Sequence, residues 1–411
     1  MMESVLVVGF NARPLARSAN KGGFRVLAVD FWGDLDLTEW VDGYFAILNQ
    51  QADHRPERPI VPTAESLVKG AQQLLEREGP VDYIIISGGF DDHLEALNHL
   101  RKLGTLVGNT SEEMQKARDR SRTQEVAHRF GAFTPRSFEA EETQQFQWAT
   151  NQLELPILVK PKYGSGGFHS RILRTEEDIN YYTVRHQFSQ RDPVLVQELI
   201  HGTDASVSLL STTEDTMTLS VNEQLIGLPE LGKGRSKGYC GNIVPLEAST
   251  KLIKKLSRIS EDICHHLKLI GSNGIDYVID KTGTPFLMEI NPRIQATIEA
   301  LELVSNINLA TLHIDAWKGQ LPTDTPSLHA YCARIIVYAK IPCEIPNLSN
   351  IPGVVDIPMP GSLADRGDPI CTVNHIAASR NKALEGAWEI VNTIYKYIIP
   401  VTGQVETNSM S

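Results

Sequence analysis
The stretch Asn273–Arg293, NGIDYVIDKTGTPFLMEINPR, spaces two acids, an amide and an arginine at strand intervals. If Lys281–Thr284 form a four-residue turn, Asp280 faces Pro285 and Asp276 falls opposite Glu289. Side chains alternate along a strand, so Asn291 shares the Glu289 face, while Met288 and Ile290 suit a core. Two opposed carboxylates repel unless a cation lies between them. Carboxylates with an amide oxygen are hard ligands, suited to Mg²⁺ with phosphates completing the octahedron. A solvated acidic face is the plainer alternative. A second stretch, Ile157–Phe168 (ILVKPKYGSGGF), delivers Lys160 and Lys162 on an apolar strand and follows them with Gly164, Gly166 and Gly167. Glycines let backbone N–H groups converge on an anion, and lysines supply charge. The spacing is not the P-loop pattern, which needs GK[ST] opening a helix. An exposed glycine hairpin reads equally well.

Two further segments gain meaning only beside these. Val194–Val207, VLVQELIHGTDASV, ends a strand at Gln197 and Glu198, then runs through Leu199 and Ile200 to a turn at Gly202. Such an edge can hydrogen-bond an adenine through its backbone, and Asp204 could hold ribose hydroxyls. Gly227–Pro245 is glycine-rich and basic, with Lys233, Arg235 and Lys237 in five residues. It reads either as a disordered surface loop or as a lid that closes over substrates, with Tyr239, Gly241 and Asn242 as its ordered end.

In this order the segments resemble the ATP-grasp superfamily, in detail over residues 113–318. The whole chain resembles its three-part members, biotin carboxylase and the purine-pathway carboxylases. The closest likeness is Glu289-Ile290-Asn291-Pro292-Arg293-Ile294-Gln295. The resemblance implies that Lys160, with Lys162, contacts ATP phosphates and that Gly164, Ser165, Gly166 and Gly167 cover them. It places Gln197, Glu198, Leu199 and Ile200 around the adenine and Asp204 on the ribose. It assigns Mg²⁺, with Mn²⁺ as a substitute, to Asp276, Glu289 and Asn291, and sets Arg293 against the reacting acyl or carboxyl phosphate. Many members carry a first ATP lysine preceded by Asp. Here the pair is Asp119-Arg120, so Arg120 is the expected replacement and Lys116 the competitor; an Arg presents a planar fork rather than a point charge. Where biotin carboxylase has a bicarbonate-deprotonating acid, this chain has Thr297, and no biotin-carrier lysine motif is present. The implied activity is an ADP-forming ligase that joins a small-molecule carboxylate, activated as an acyl phosphate, to an amine. A biotin-independent carboxylase working through carboxyphosphate and a non-catalytic ATP sensor are the alternatives.

These residues need elements to hold them. Residues 4–10 read as a buried strand, followed by a helix near 12–21 and a second strand at 24–30, a βαβ unit with a parallel sheet. A helix at 65–77, a strand at 81–87, a helix at 93–103 and a short strand at 105–107 complete an N-terminal doubly wound α/β domain, 1–112. Only Gly9 remains of a dinucleotide fingerprint after the first strand, which disfavours a dehydrogenase. Helices are expected at 112–130, 251–267 and 298–317, with the strand-rich ATP-grasp domain over 113–318. A small α+β domain, 319–411, ends in a helix from 381 to about 394. The 411 residues, at roughly 150 per domain, allow two or three domains. A formal charge of −11 excludes a general polyanion or anionic-membrane binder, so neither nucleic acid nor membrane is an expected partner. Five scattered cysteines without a CxxC pair predict reduced thiols, and MMESVLVVGF is not a signal peptide, so a cytoplasmic protein is expected. A homodimer is compatible, because related three-part enzymes are often dimers.

Overall fold
The computed structural model describes residues 2–53, 63–164, 166–167 and 169–401. The described residues form a mixed α/β and α+β structure built on four sheets. Strands Ser4–Gly9, Arg25–Asp30 and Tyr83–Ile86 form a parallel sheet around the first strand. Their apolar runs are buried on both faces, as parallel strands require. A fourth strand, Gly43–Ala46, adds to the edge and has no expectation in the sequence reading. A Cβ on Gly9 would lie 1.7 Å from Ser87 Oγ, so this glycine serves close strand packing. Asp30 accepts the N–H groups of Ala12, Trp32 and Gly33 at 2.6–2.8 Å, which ties the loops at the ends of the first two strands together.

A second sheet is antiparallel, with strand order Ser137–Ala140, Val194–Glu198, Ile157–Pro161, Arg171–Leu173. The largest sheet has eight strands, running from Pro285–Asn291 through Gly271–Asp280, Gly202–Ser211, Thr216–Ile226 and Tyr239–Val244 to Tyr331–Tyr338, Pro369–Ala377 and Val354–Val355. Hydrogen bonding is therefore continuous past residue 318. Helix Thr250–Leu267 covers this sheet with Leu256, Ile259, Ile263 and Leu267, an i, i+3, i+7, i+11 stripe, and Ser249 caps its N-terminus. Helix Arg380–Tyr397 covers the far end with Ala383, Ala387, Val391 and Ile394.

Two expected helices are interrupted. The region 112–130 breaks at Asp119, whose extended backbone (φ −66°, ψ 117°) ends Ser111–Arg118 and whose carboxylate caps Arg120–Phe130 through Arg122 N–H at 2.8 Å. The region 298–317 splits into Ile298–Leu303 and Leu309–Trp317, because Asn308 caps the second piece through Thr311 N–H. All five cysteines are buried thiols. No described helix is long and apolar enough to cross a membrane.

Candidate active site
The hairpin of Gly271–Asp280 with Pro285–Asn291 sets the acids face to face. Asp276 pairs with Glu289 and Gly274 with Asn291. The route to that register differs from the sequence expectation. Ile279, not Asp280, faces Pro285, and a bulge at Met288 restores the alignment before Glu289. Leu287 and Ile290 therefore supply the buried face, and Met288 is only half-buried. Asp276 is a half-buried acid wrapped in amides. It accepts from Asn291 Nδ2 at 2.9 Å, Gln224 Nε2 at 3.0 Å and Gln295 Nε2 at 3.3 Å. Burial first, then the charge of Glu289, pushes its carboxyl up to about 7 against those donors and Arg293.

Three cations converge on these carboxylates. Lys160, at the end of strand Ile157–Pro161, is half-buried, and no carboxylate among the described residues pairs with its ammonium. Burial lowers its pKa, while Glu289 and Asp276 act the other way. Arg293 Nε donates to both oxygens of Asp91, at 2.7 and 2.9 Å. Burial opposes ionisation of Asp91, yet Arg293 and Arg118 hold it below the usual carboxylate range. Arg118 bonds Glu289 directly and grips Asp92 with two bonds at 3.0 and 2.9 Å.

Other predicted residues lie at varied distances from this centre. Arg120 reaches Ser137 Oγ, which also accepts from Gln197 Nε2 at 3.2 Å. Lys116 points instead to Glu112 on the surface, at 2.5 Å. Lys162 is turned to Glu139 at 2.5 Å. Gln197 is buried, with Oε1 lacking a partner among the described residues. The Glu198 carboxylate accepts from Arg136 N–H at 3.2 Å; Leu199 is half-buried and Ile200 buried. Asp204 is ion-paired with Lys237 at 3.1 Å. Ser165 lies outside the described residues.

The basic loop is ordered rather than a disordered surface segment. It lies on the glycine loop, where Gly166 O accepts from Tyr239 N–H at 2.9 Å and Ser170 Oγ from Lys237 N–H at 2.9 Å. Gly164, Gly166 and Gly167 all have positive φ, and a Cβ on Gly167 would lie 2.1 Å from the Lys237 carbonyl.

Beside the acids runs a buried polar row across three strands: Asn242 pairs with Arg334, and Arg334 with Asn374. Asn222 lies one strand further along. Arg334 gives one nitrogen to Asp356 at 3.3 Å; its Nε and Nη1 have no partner among the described residues. The same holds for both side-chain polar atoms of Asn242, for Oδ1 of Asn222 and Asn374, and for the Tyr239 hydroxyl. Glu299 is engaged by Arg13 at 2.5 Å and Glu302 by Ser18 Oγ at 2.5 Å, so neither replaces the acid missing at Thr297.

Sequence reasoning missed Arg118, Asp91, Asp92 and Arg334. A signal existed for the aspartates, which follow the carboxyl end of a parallel strand, where open α/β sheets place ligands. No local signal marks Arg118 or Arg334.

The donor set fits a divalent ion. Asp276, Glu289 and the Asn291 oxygen are hard ligands, too few to enclose a metal, and Mg²⁺ characteristically takes one or two carboxylates and completes its shell with water and phosphate. Among the described residues no three His, Cys, Asp or Glu form a closed metal cage. The glycine loop, Lys160 and the unpartnered Gln197 oxygen likewise suit a polyphosphate and a base.

Comparison with known proteins gives a consistent answer. Residues 117–297 match the model of the ATP-grasp domain. An uncharacterized protein of Methanocaldococcus jannaschii is 26% identical over 392 residues, 95% of this chain and 91% of that protein. The carbamoyl phosphate synthase large chain of Clostridium beijerinckii is 22% identical over 325 residues, which is 77% of this chain but only 29% of the synthase. The ADP complex of an N5-carboxyaminoimidazole ribonucleotide synthetase superposes with a TM-score of 0.70 at 16% identity, over 96% of this chain and 98% of that one. The biotin carboxylase domain dimer of Hydrogenobacter thermophilus 2-oxoglutarate carboxylase, bound to MgADP and bicarbonate, gives 0.72 at 15% identity, over 97% and 90%. At these identities the two structures establish the fold.

Proposed function
We propose, from the match of residues 117–297 to the ATP-grasp domain, an ADP-forming ligase that joins a carboxylate to an amine. The observation that carries this is the meeting of Lys160, Arg118 and Arg293 with the Asp276/Glu289/Asn291 set beneath a glycine loop. In this reading Asp276, Glu289 and Asn291 hold Mg²⁺, which supplies charge neutralisation on the transferring phosphoryl group when bound. Lys160, with Arg120, Lys162 and the glycine-loop N–H groups, binds the triphosphate, and Gln197, Glu198, Leu199, Ile200 and Asp204 flank the nucleoside. Asp91 fixes Arg293 through Nε while Nη1 donates to the Ile294 carbonyl at 3.2 Å, and Nη2 would face the reacting carboxylate. Such chemistry needs in-line positioning and electrostatic stabilisation more than covalent help. The ATP-grasp domain is taken as 113–318, with 1–112 and 319–411 walling the acceptor side.

The buried row supports an acceptor that brings both hydrogen-bond acceptors and donors. Arg334 would meet an anionic group; Asn222, Asn242 and Asn374 offer amide oxygens to N–H groups. A screen of carboxylates and amines scored by ADP release, with wild type and Lys160→Ala in parallel, tests the proposal. ¹⁸O in the acceptor carboxylate should appear in released phosphate, and Lys160→Ala should lower the rate at least about 100-fold. Formation of AMP and pyrophosphate would sink it. A second reading, carboxylation through carboxyphosphate, draws on the fold shared with a bicarbonate-bound domain. The neutral Thr297, hydrogen-bonded to Ser208 at 3.2 Å, weighs against it, and ADP release dependent on bicarbonate would favour it.

A further inference from the structure
Arg118 spends its guanidinium on two carboxylates and a carbonyl, all at the site. Nε and Nη2 meet Asp92 Oδ1 and Oδ2 at 3.0 and 2.9 Å, Nη2 also reaches the Gly164 carbonyl at 3.2 Å, and Nη1 bonds Glu289. Asp92 in turn accepts the Gly164 N–H at 2.8 Å. This guanidinium–carboxylate unit therefore engages two groups the proposed function assigns to ligands: Glu289, a metal ligand, and a glycine-loop N–H, a phosphate donor. The side chains of Arg118 and Glu289 are 15% and 30% exposed, so their pairing is partly desolvated, unlike the Lys116–Glu112 pair in the same helix, whose acid is 72% exposed.

Resting on that reading of the site, we propose that Arg118 competes with the divalent ion for Glu289 and is passed to the terminal phosphate of the nucleotide. The two-point grip of Asp92 holds the guanidinium in place, so only Nη1 has to change acceptor. Glu289 then exchanges a guanidinium for the metal, while Nη1 exchanges a carboxylate for phosphate. Metal alone leaves Nη1 without its anion, and nucleotide alone leaves Glu289 holding the arginine. Both ligands together satisfy every partner. Metal and nucleotide thus bind as a coupled unit, and the coupling is reciprocal. Arg118 becomes a phosphate-facing cation that also sets the order in which the site fills.

The test measures Mn²⁺ binding to the full chain by electron paramagnetic resonance, with and without ADP. Wild type should bind Mn²⁺ weakly alone and tightly with ADP. Arg118→Met should bind Mn²⁺ alone about tenfold more tightly, and the enhancement by ADP should shrink by a similar factor. Adding Glu289→Gln should abolish the gain. Arg118→Lys, which keeps a cation but loses the fork, should shift in the same direction by less and carries the test if the methionine variant does not fold. A tightening of metal binding is a readout that a merely structural role would not produce. Unchanged or weaker Mn²⁺ binding in the Arg118 variants, with full enhancement by ADP, overturns this inference and leaves the proposed function standing. Failure of wild type to bind Mn²⁺ under either condition overturns both.

Discussion
Arg334 shows how much a single buried side chain can constrain the chemistry of a site. One of its nitrogens donates to Asp356, and Arg13 approaches the same carboxylate at 2.6 Å. The two remaining donor groups have no protein acceptor among the described residues, and leaving a buried charged donor unpaired costs more than an ordinary hydrogen bond returns. A ligand anion would relieve that cost. Replacing Arg334 with Met should therefore raise the KM of the acceptor by about tenfold or more and leave the ADP dissociation constant within about twofold. Steady-state kinetics and ADP titration separate the two. A parallel loss of ADP binding would place Arg334 in the nucleotide site instead. Asp276 gives the complementary lesson: three amides orient its oxygens, so its geometry is set before any cation arrives.

At the scale of elements, the glycine loop and the basic loop behave as one unit. Gly167 adopts φ +67° because the chain must turn beneath the Lys237 carbonyl. A methyl group there meets backbone at 2.1 Å, which no flexible side chain can yield to. Gly167→Ala should lift the basic loop from the glycine loop and weaken ADP binding by about tenfold, as measured by titration. Gly131→Ala is the matched control: its φ is also positive, at +89°, but a Cβ would meet nothing within 4 Å. It should cost about 1 kcal/mol of stability and leave ADP binding unchanged. The helix break at Asp119 is the other element-scale decision. It ends one helix at Arg118, begins the next at Arg120, and points the two arginines at different partners.

Across the whole molecule, buried polar bolts hold the parallel sheet against the large one. His313 accepts the Ser272 N–H on Nδ1 at 2.8 Å, and its Nε2 lies 3.3 Å from the Val107 carbonyl. Burial pushes its pKa down to about 4, so it is neutral when folded. Between pH 6.5 and 4 the unfolded chain protonates this histidine and the folded chain does not. Its contribution is present above pH 6.5 and is lost as pH falls through 4. Asp30 and Asp36, raised to about 6 chiefly by burial, have the opposite sign, and their contribution is lost as pH rises through 6. The measurement is therefore a difference. The stability gap between wild type and His313→Gln in urea denaturation should narrow by roughly 2–3 kcal/mol from pH 7 to pH 4. A gap that stays constant would mean the histidine titrates normally.

The sequence by itself determined what depends on short-range order. Alternation along a hairpin brought Asp276 opposite Glu289 even though the turn was misplaced by one residue and no bulge was expected, because the bulge cancelled the shift. Apolar runs located the buried strands, and glycine spacing located the loop, since both follow from local backbone geometry. Tertiary structure alone decided which cation meets which acid. Arg118 lies 171 residues from Glu289 and 26 from Asp92, and Arg293 lies 202 from Asp91. Arg334 faces a row of amides assembled from separate strands. Charge complementarity is satisfied by whichever partner the packing of sheets brings within reach, and no spacing along the chain records that choice.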